Sequence, residues 1–89
     1  MSARKLLIRG RVQGVGFRDA MVDAARSGSL AGFVRNAADG SVEARVQGDD
    51  DAVARVIAWA SDGPSHAHVE RVLVEAIEHD PTLRPFRRS

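Results

Sequence analysis

Residues 6–28 read LLIRGRVQGVGFRDAMVDAARSG, and the spacing of their apolar residues changes partway along. Leu6, Ile8 and Val12 fall on even positions, a period of two that predicts a strand. Two glycines follow, and the next apolar residues recur at the spacing of one helical face: Phe17, Ala20, Met21, Ala24 and Ala25. This stretch therefore predicts a strand, a glycine-containing loop and a helix that ends near Gly28.

The residues after this helix predict a β-hairpin. A second strand fits Leu30 to Arg35 or Asn36, and Asp39-Gly40 is a strong turn signal. A third strand is indicated beyond the turn by the alternating apolar residues Val42, Ala44 and Val46.

The second half of the chain predicts one more helix and one more long strand. Three acidic residues at 49–51 suit a helix start, and Asp62-Gly63-Pro64 suits its end. The apolar face between them comprises Val53, Val56, Ile57 and Ala60. A fourth strand is predicted over residues 69–78, with Val69 in the opposite register to Val72 and Val74. Because Pro81 and Pro85 follow, any strand around Phe86 should be short and at a sheet edge.

The predicted order is β-α-β-β-α-β with a weak extra segment. That order is typical of an α+β fold, the ferredoxin-like split βαβ sandwich, in which two helices cover one face of an antiparallel sheet. With 89 residues, the chain is expected to form one domain over residues 1–89. Fold alone indicates little about function.

Composition excludes several classes of function. The chain has no cysteine, which excludes a thiolate nucleophile, a disulfide framework and a cysteine-based zinc site. Its 13 basic and 12 acidic residues leave a net charge of +1, too balanced for a dedicated nucleic-acid binder. Neither a signal-like nor a membrane-spanning apolar run occurs. We therefore expect a cytoplasmic monomer that acts on a small molecule, without a nucleic-acid or membrane partner.

The loop after the first strand is the candidate binding site. It comprises, with the first helical turn, Gln13, Gly14, Val15, Gly16, Phe17 and Arg18. No Ser, Thr, Asp or Asn precedes the helix to cap its free N–H groups, whereas glycines let those groups curl around an anion. A cation in a first turn costs about 0.3–1 kcal/mol against the helix dipole, and an anion bound at Arg18 would reverse that sign. The alternative is a tight glycine turn followed by a solvated arginine.

Three segments carry a family resemblance. GRVQGVGFR at residues 10–18 resembles the acylphosphatase signature, and GFVRN at residues 32–36 with DGSVE at residues 39–43 resembles the second signature of that family. Gly63-Pro64 with Ala67 and Val69 resembles a further family segment. The resemblance extends from about Lys5 to Glu78.

The resemblance implies a hydrolase that uses no metal and no cofactor to cleave the carboxyl-phosphate anhydride of acyl phosphates. It implies that the backbone of residues 13–18 and the Arg18 guanidinium bind the phosphate, and that Asn36 positions the attacking water. Without the resemblance, Asn36 would be interpreted as a turn residue ahead of Asp39-Gly40.

Asp19 departs from the family pattern, which often has an aromatic residue there. Its carboxylate would repel a phosphate or hold Arg18. Because consecutive helical residues point about 100° apart, we expect Asp19 not to capture Arg18.

Two other classes of function are alternatives. A non-catalytic phosphate-binding or partner-binding domain of the same fold is one, and Asp19 is the residue that favours it. An RNA-binding module is the other, but it needs exposed sheet aromatics and this chain has no tyrosine. His66 and His68 have the spacing of residues on one strand face, yet no third metal ligand has a convincing spacing, so we expect surface histidines.

Overall fold

The computed structural model describes residues 1–89. The elements are β1 (Ser2–Arg11), α1 (Phe17–Ser27), β2 (Ala31–Asn36), β3 (Val42–Gly48), α2 (Asp50–Asp62), β4 (His68–Ala76) and β5 (Arg87–Arg88). Every predicted element is present, and the predicted order β-α-β-β-α-β is confirmed. Neither helix is long and apolar enough to cross a membrane.

The helix ends follow the local sequence. Asp49 caps α2, where its side chain accepts a hydrogen bond from the Ala52 N–H at 3.3 Å. Gly28 ends α1 and donates its N–H to the Ala25 carbonyl at 3.2 Å. By contrast, the residue that precedes α1 is Gly16, and no side chain caps this helix.

The strands form one five-stranded sheet in the order β4-β1-β3-β2-β5. β1 pairs antiparallel with both β3 and β4, and β2 pairs antiparallel with β3, as a ferredoxin-like fold requires. β5 pairs parallel with β2, so the wholly antiparallel sheet expected from the sequence is wrong at this edge. β4 and β2 run in opposite directions, so β4 finishes at the end of the sheet where β2 begins. The chain crosses the sheet there and then runs beside β2 in the same direction. Gln47 holds the crossing, since its side-chain amide donates to the Asp80 carbonyl at 2.7 Å.

Both helices pack on the same face of the sheet over one apolar core. That core has 16 buried residues: Leu6, Ile8, Val12, Phe17, Met21, Ala25, Leu30, Val34, Val42, Ala44, Val46, Ala52, Val53, Val56, Ala60 and Phe86. The apolar faces predicted for α1 and α2 supply much of this core, although Ala20 and Ala24 of α1 and Ile57 of α2 are only partly buried. Phe86, expected near a weak edge strand, has no exposed surface and anchors the tail against the core.

A bulge in β4 explains why its faces could not be assigned from sequence. Arg9 pairs with Arg71, but Gly10 pairs with Val69, so Glu70 is an extra residue. Val69 and Val72, three positions apart, therefore both pack against the core. The partner position must be glycine, because a Cβ on Gly10 would lie 2.2 Å from the His68 carbonyl oxygen.

Candidate active site

The sheet topology brings the two predicted site segments to one end of the molecule. β1 and β2 run parallel because each pairs antiparallel with β3. Ile8 and Asn36 both lie opposite Val42, about 10 Å apart across two strand spacings. The loop that follows β1 and the side chain that ends β2 therefore lie at the same end of the sheet.

The loop has the backbone conformation of an anion nest. Gly14 and Gly16 have φ angles of 75° and 78°, in the left-handed region that L-residues rarely adopt. Gly16 is followed directly by right-handed helical Phe17, and alternating left- and right-handed residues point successive N–H groups to one side. The main-chain N–H groups of residues 13–18 donate to no acceptor in the chain.

Side chains hold both ends of this loop. The Gln13 Nε2 donates to the Ala37 carbonyl at 2.8 Å and to the Ser41 carbonyl at 2.9 Å. Phe17 is buried, with its ring centroid 5.3 Å from that of Trp59 on α2. The sequence predicted a role only for the Gln13 backbone. No local signal could have revealed its side-chain contacts, because they span 24 and 28 positions of sequence.

Arg18 lies in the first turn of α1, and its guanidinium reaches toward the β2–β5 edge. One guanidinium N–H donates to the Ser89 carbonyl at 3.2 Å, and the Ser89 N–H donates to the Val34 carbonyl at 2.8 Å. Val34 is two positions before Asn36, so both side chains lie on the helix-covered face of β2. Arg18 thus lies beside the strand that carries Asn36.

Asp19 does not hold Arg18. Its carboxylate accepts a hydrogen bond from the Arg88 guanidinium at 3.0 Å, across the β5 edge. The expectation that Asp19 would not capture Arg18 is therefore confirmed. Arg88 was not singled out from sequence, and its pairing with Asp19 depends on the parallel course of β5.

The side chain of Asn36 makes no hydrogen bond within the chain, and its Oδ1 is buried. The turn after β2 is closed by other groups. Asp39 accepts from the Ser41 N–H at 3.0 Å and from the Ser41 hydroxyl at 2.5 Å, while the Ala37 N–H donates to the Ser41 carbonyl at 2.8 Å. These bonds from Ser41, the hydroxyl first, lower the pKa of the exposed Asp39 carboxyl from its ordinary value of 3.8. Asn36 is thus a polar side chain that the turn does not use.

The two histidines considered as metal ligands are not arranged to bind a metal. His66 lies in the turn before β4, so it does not share a strand face with His68 as the sequence spacing suggested. Both histidines are exposed. No group of three or more His, Cys, Asp or Glu side chains is arranged to hold a metal ion.

Comparisons with known proteins, by sequence and by structure, indicate the same family. A family model described as acylphosphatase matches residues 4–88. The acylphosphatase of Thiobacillus denitrificans is 57% identical over 72 residues, 81% of this chain and 81% of that protein. The acylphosphatase of Azorhizobium caulinodans is 48% identical over 82 residues, 92% of this chain and 88% of that protein. The crystal structure of acylphosphatase from Bacillus subtilis matches with a TM-score of 0.94 at 29% identity, covering 100% of this chain and 99% of that chain. Because the family model and these relatives extend over most of its length, this chain belongs to the acylphosphatase family.

Proposed function

We propose that the loop at residues 13–18 and the side chains of Arg18 and Asn36 carry the acylphosphatase activity of this chain. The reaction is hydrolysis of a carboxyl-phosphate anhydride to a carboxylate and phosphate by direct attack of water. The observation that carries the proposal is the set of main-chain N–H groups of residues 13–18, which have no acceptor in the chain and lie at a helix N-terminus.

Phosphate binding is assigned to the loop and Arg18. The N–H groups and the dipole of α1 attract an anion, and the planar guanidinium of Arg18 suits two phosphate oxygens. In the transition state, negative charge spreads over the equatorial oxygens of the phosphoryl group, where fixed donors stabilise it. The leaving carboxylate is weakly basic, so the reaction does not require a strong general acid.

Water positioning is assigned to Asn36. Its Oδ1 is buried, whereas its Nδ2 donates to no acceptor in the chain and so is free to hold a water in line with the phosphorus. An amide is not a base at neutral pH. We therefore propose that a phosphate oxygen of the substrate takes the proton of the attacking water.

A non-catalytic binding domain is the weaker interpretation. It relied on Asp19 repelling a phosphate or holding Arg18, and the carboxylate of Asp19 instead pairs with Arg88. The assigned groups all come from one chain with one core, which supports residues 1–89 acting as a single catalytic domain. The cytoplasmic location stays a prediction, which fractionation of the source cells tests.

Phosphate release from benzoyl phosphate, with a chelator present, tests the assignment. We expect Arg18→Ala to abolish nearly all turnover and to weaken competitive inhibition by inorganic phosphate. Asn36→Ala should lower kcat by about 10²–10³, as loss of one transition-state donor does, with a smaller effect on phosphate inhibition.

Arg35→Ala is the matched control, because Arg35 is the exposed arginine next to Asn36 and pairs with Glu43 at 2.8 Å. It should keep normal turnover. Unchanged rates in the Arg18 or Asn36 variant would remove the role given to that residue, and activity that the chelator abolishes would contradict a metal-independent reaction.

A further inference from the structure

Asp19 places a negative charge beside the groups assigned to phosphate binding. It follows Arg18 in the first turn of α1, where the N–H groups ahead of Ala20 donate to no acceptor in the chain. A carboxylate within one helical turn of a bound phosphate repels it. In this chain the Asp19 carboxylate is paired, because the Arg88 guanidinium donates to it at 3.0 Å. On the basis of the phosphate site proposed above, we infer that Arg88 is a positioning residue of that site, which neutralises Asp19 and holds its carboxylate toward β5.

The course of β5 brings Arg88 to α1. β5 runs parallel to β2, with Arg87 opposite Phe33 and Arg88 opposite Val34. Val34 is buried beneath the helices, and residues opposite each other in a sheet share a face, so the Arg88 side chain points to the helix-covered face. Buried Phe86 fixes the start of this segment in the core. The tail therefore presents Arg88, but not Arg87, to the first turn of α1.

The residue next to Arg88 contacts the arginine that is assigned to the phosphate. The Ser89 carbonyl accepts from the Arg18 guanidinium at 3.2 Å, and the Ser89 N–H donates to the Val34 carbonyl at 2.8 Å. Consecutive residues of the tail thus hold two consecutive residues in the first turn of α1. A guanidinium has several N–H donors and this contact uses a single one, so Arg18 keeps donors for a phosphate.

Arg88 is the one cation that forms an ion pair with Asp19. Arg18 points about 100° away around the helix and donates to Ser89 instead. Asp23, one turn further along α1, is a like charge and offers no compensation. Without Arg88, the carboxylate of Asp19 would therefore lie unpaired beside the phosphate site.

The exposure of this ion pair separates an effect on binding from an effect on stability. The Asp19 side chain is 71% exposed and the Arg88 side chain is 49% exposed. Ion pairs this exposed contribute little to the free energy of unfolding, so the loss of Arg88 should leave the fold intact. An unpaired charge within one helical turn of a phosphate acts on binding instead. At low ionic strength we expect phosphate to bind about three- to tenfold more weakly without Arg88.

Titration with inorganic phosphate, followed by phosphorus NMR at about 20 mM ionic strength, measures this effect without turnover. Arg88→Gln should raise the dissociation constant about three- to tenfold, whereas Arg88→Lys keeps the charge and should stay near wild type. Arg87→Gln is the matched control, because it removes the same charge one residue earlier on the open face, and it should also stay near wild type. In D19N/R88Q no carboxylate remains to be neutralised, so the affinity should return to the wild-type value. Circular dichroism should show all of these variants folded.

Kinetics with benzoyl phosphate give a second measurement. Because the charge of Asp19 acts on bound substrate and transition state alike, R88Q should raise KM more than it lowers kcat. The difference from wild type should shrink at about 0.5 M salt. Wild-type phosphate affinity in R88Q, equal losses in R87Q and R88Q, or no recovery in D19N/R88Q would each overturn the role of Arg88. A wild-type protein that binds no phosphate would overturn the phosphate site itself, and the role of Arg88 with it.

Discussion

Replacing Asn36 by leucine should make the protein more stable while it removes activity. The Oδ1 of Asn36 is buried and accepts no hydrogen bond from the chain. A buried acceptor without a partner costs about 1–3 kcal/mol relative to one in water, whereas an apolar group of similar shape avoids that cost. The substitution also removes Nδ2 and its favourable solvation, which reduces the gain. We therefore expect the free energy of unfolding to rise by about 1–2 kcal/mol.

Urea denaturation at pH 7, followed by far-ultraviolet circular dichroism, measures this change. The midpoint should rise without a change in slope, and Tm should rise by about 4–8 °C for each kcal/mol in a domain of this size. Arg35→Leu is the control, because it places the same side chain one residue earlier, where the wild-type residue is exposed. Loss of an exposed ion pair should change its stability by less than about 1 kcal/mol.

The outcome distinguishes a residue kept for its function from one kept for the stability of the fold. A stabilised Asn36→Leu variant with little turnover would mean that the wild-type residue is kept at a cost in stability. If Asn36→Leu is less stable than wild type while Arg35→Leu is unchanged, Oδ1 has a hydrogen-bond partner in the folded protein, and the reasoning is refuted.

Three further predictions concern the groups around the site. Gly16→Ala should cost about 1–2 kcal/mol in denaturation experiments and lower kcat/KM, because its φ of 78° is left-handed although no atom lies within 4 Å of the new Cβ. Gln13→Ala should lose about 1–3 kcal/mol of stability, since two hydrogen bonds between the loop and the turn disappear, and calorimetry measures it. Ser41→Ala should raise the pKa of Asp39 in an NMR titration, because the Ser41 hydroxyl is the main cause of its lowering. Because the pKa of Asp39 is lowered in the folded protein, its carboxylate stabilises the fold at pH values above 3.8, and this stabilisation is lost as pH falls through the folded pKa. The Ser41→Ala variant should therefore lose less stability on acidification than the wild type.

The sequence by itself determined the local elements and the candidate groups. A period of two in β1 and β3 and a helical period in α1 and α2 are short-range patterns, so each element could be placed within a few residues. The loop could be predicted equally well, because glycines without a capping side chain ahead of α1 are a local signal for an anion nest. Asn36 was different: its role came from the family resemblance, since its local context suggested only a turn.

Only the tertiary structure decided which distant groups meet. The parallel course of β5 and the Asp19–Arg88 pair depend on where the chain crosses the sheet after β4. The side-chain bonds of Gln13 and the burial of Phe86 likewise join residues far apart in sequence. The bulge opposite Gly10 supplied the cause of the change of register at Val69, which alternation showed but did not explain. The physical reason is common to all of these: periodicity reports which side of a strand or helix is buried, whereas partner choice depends on the packing of the whole chain.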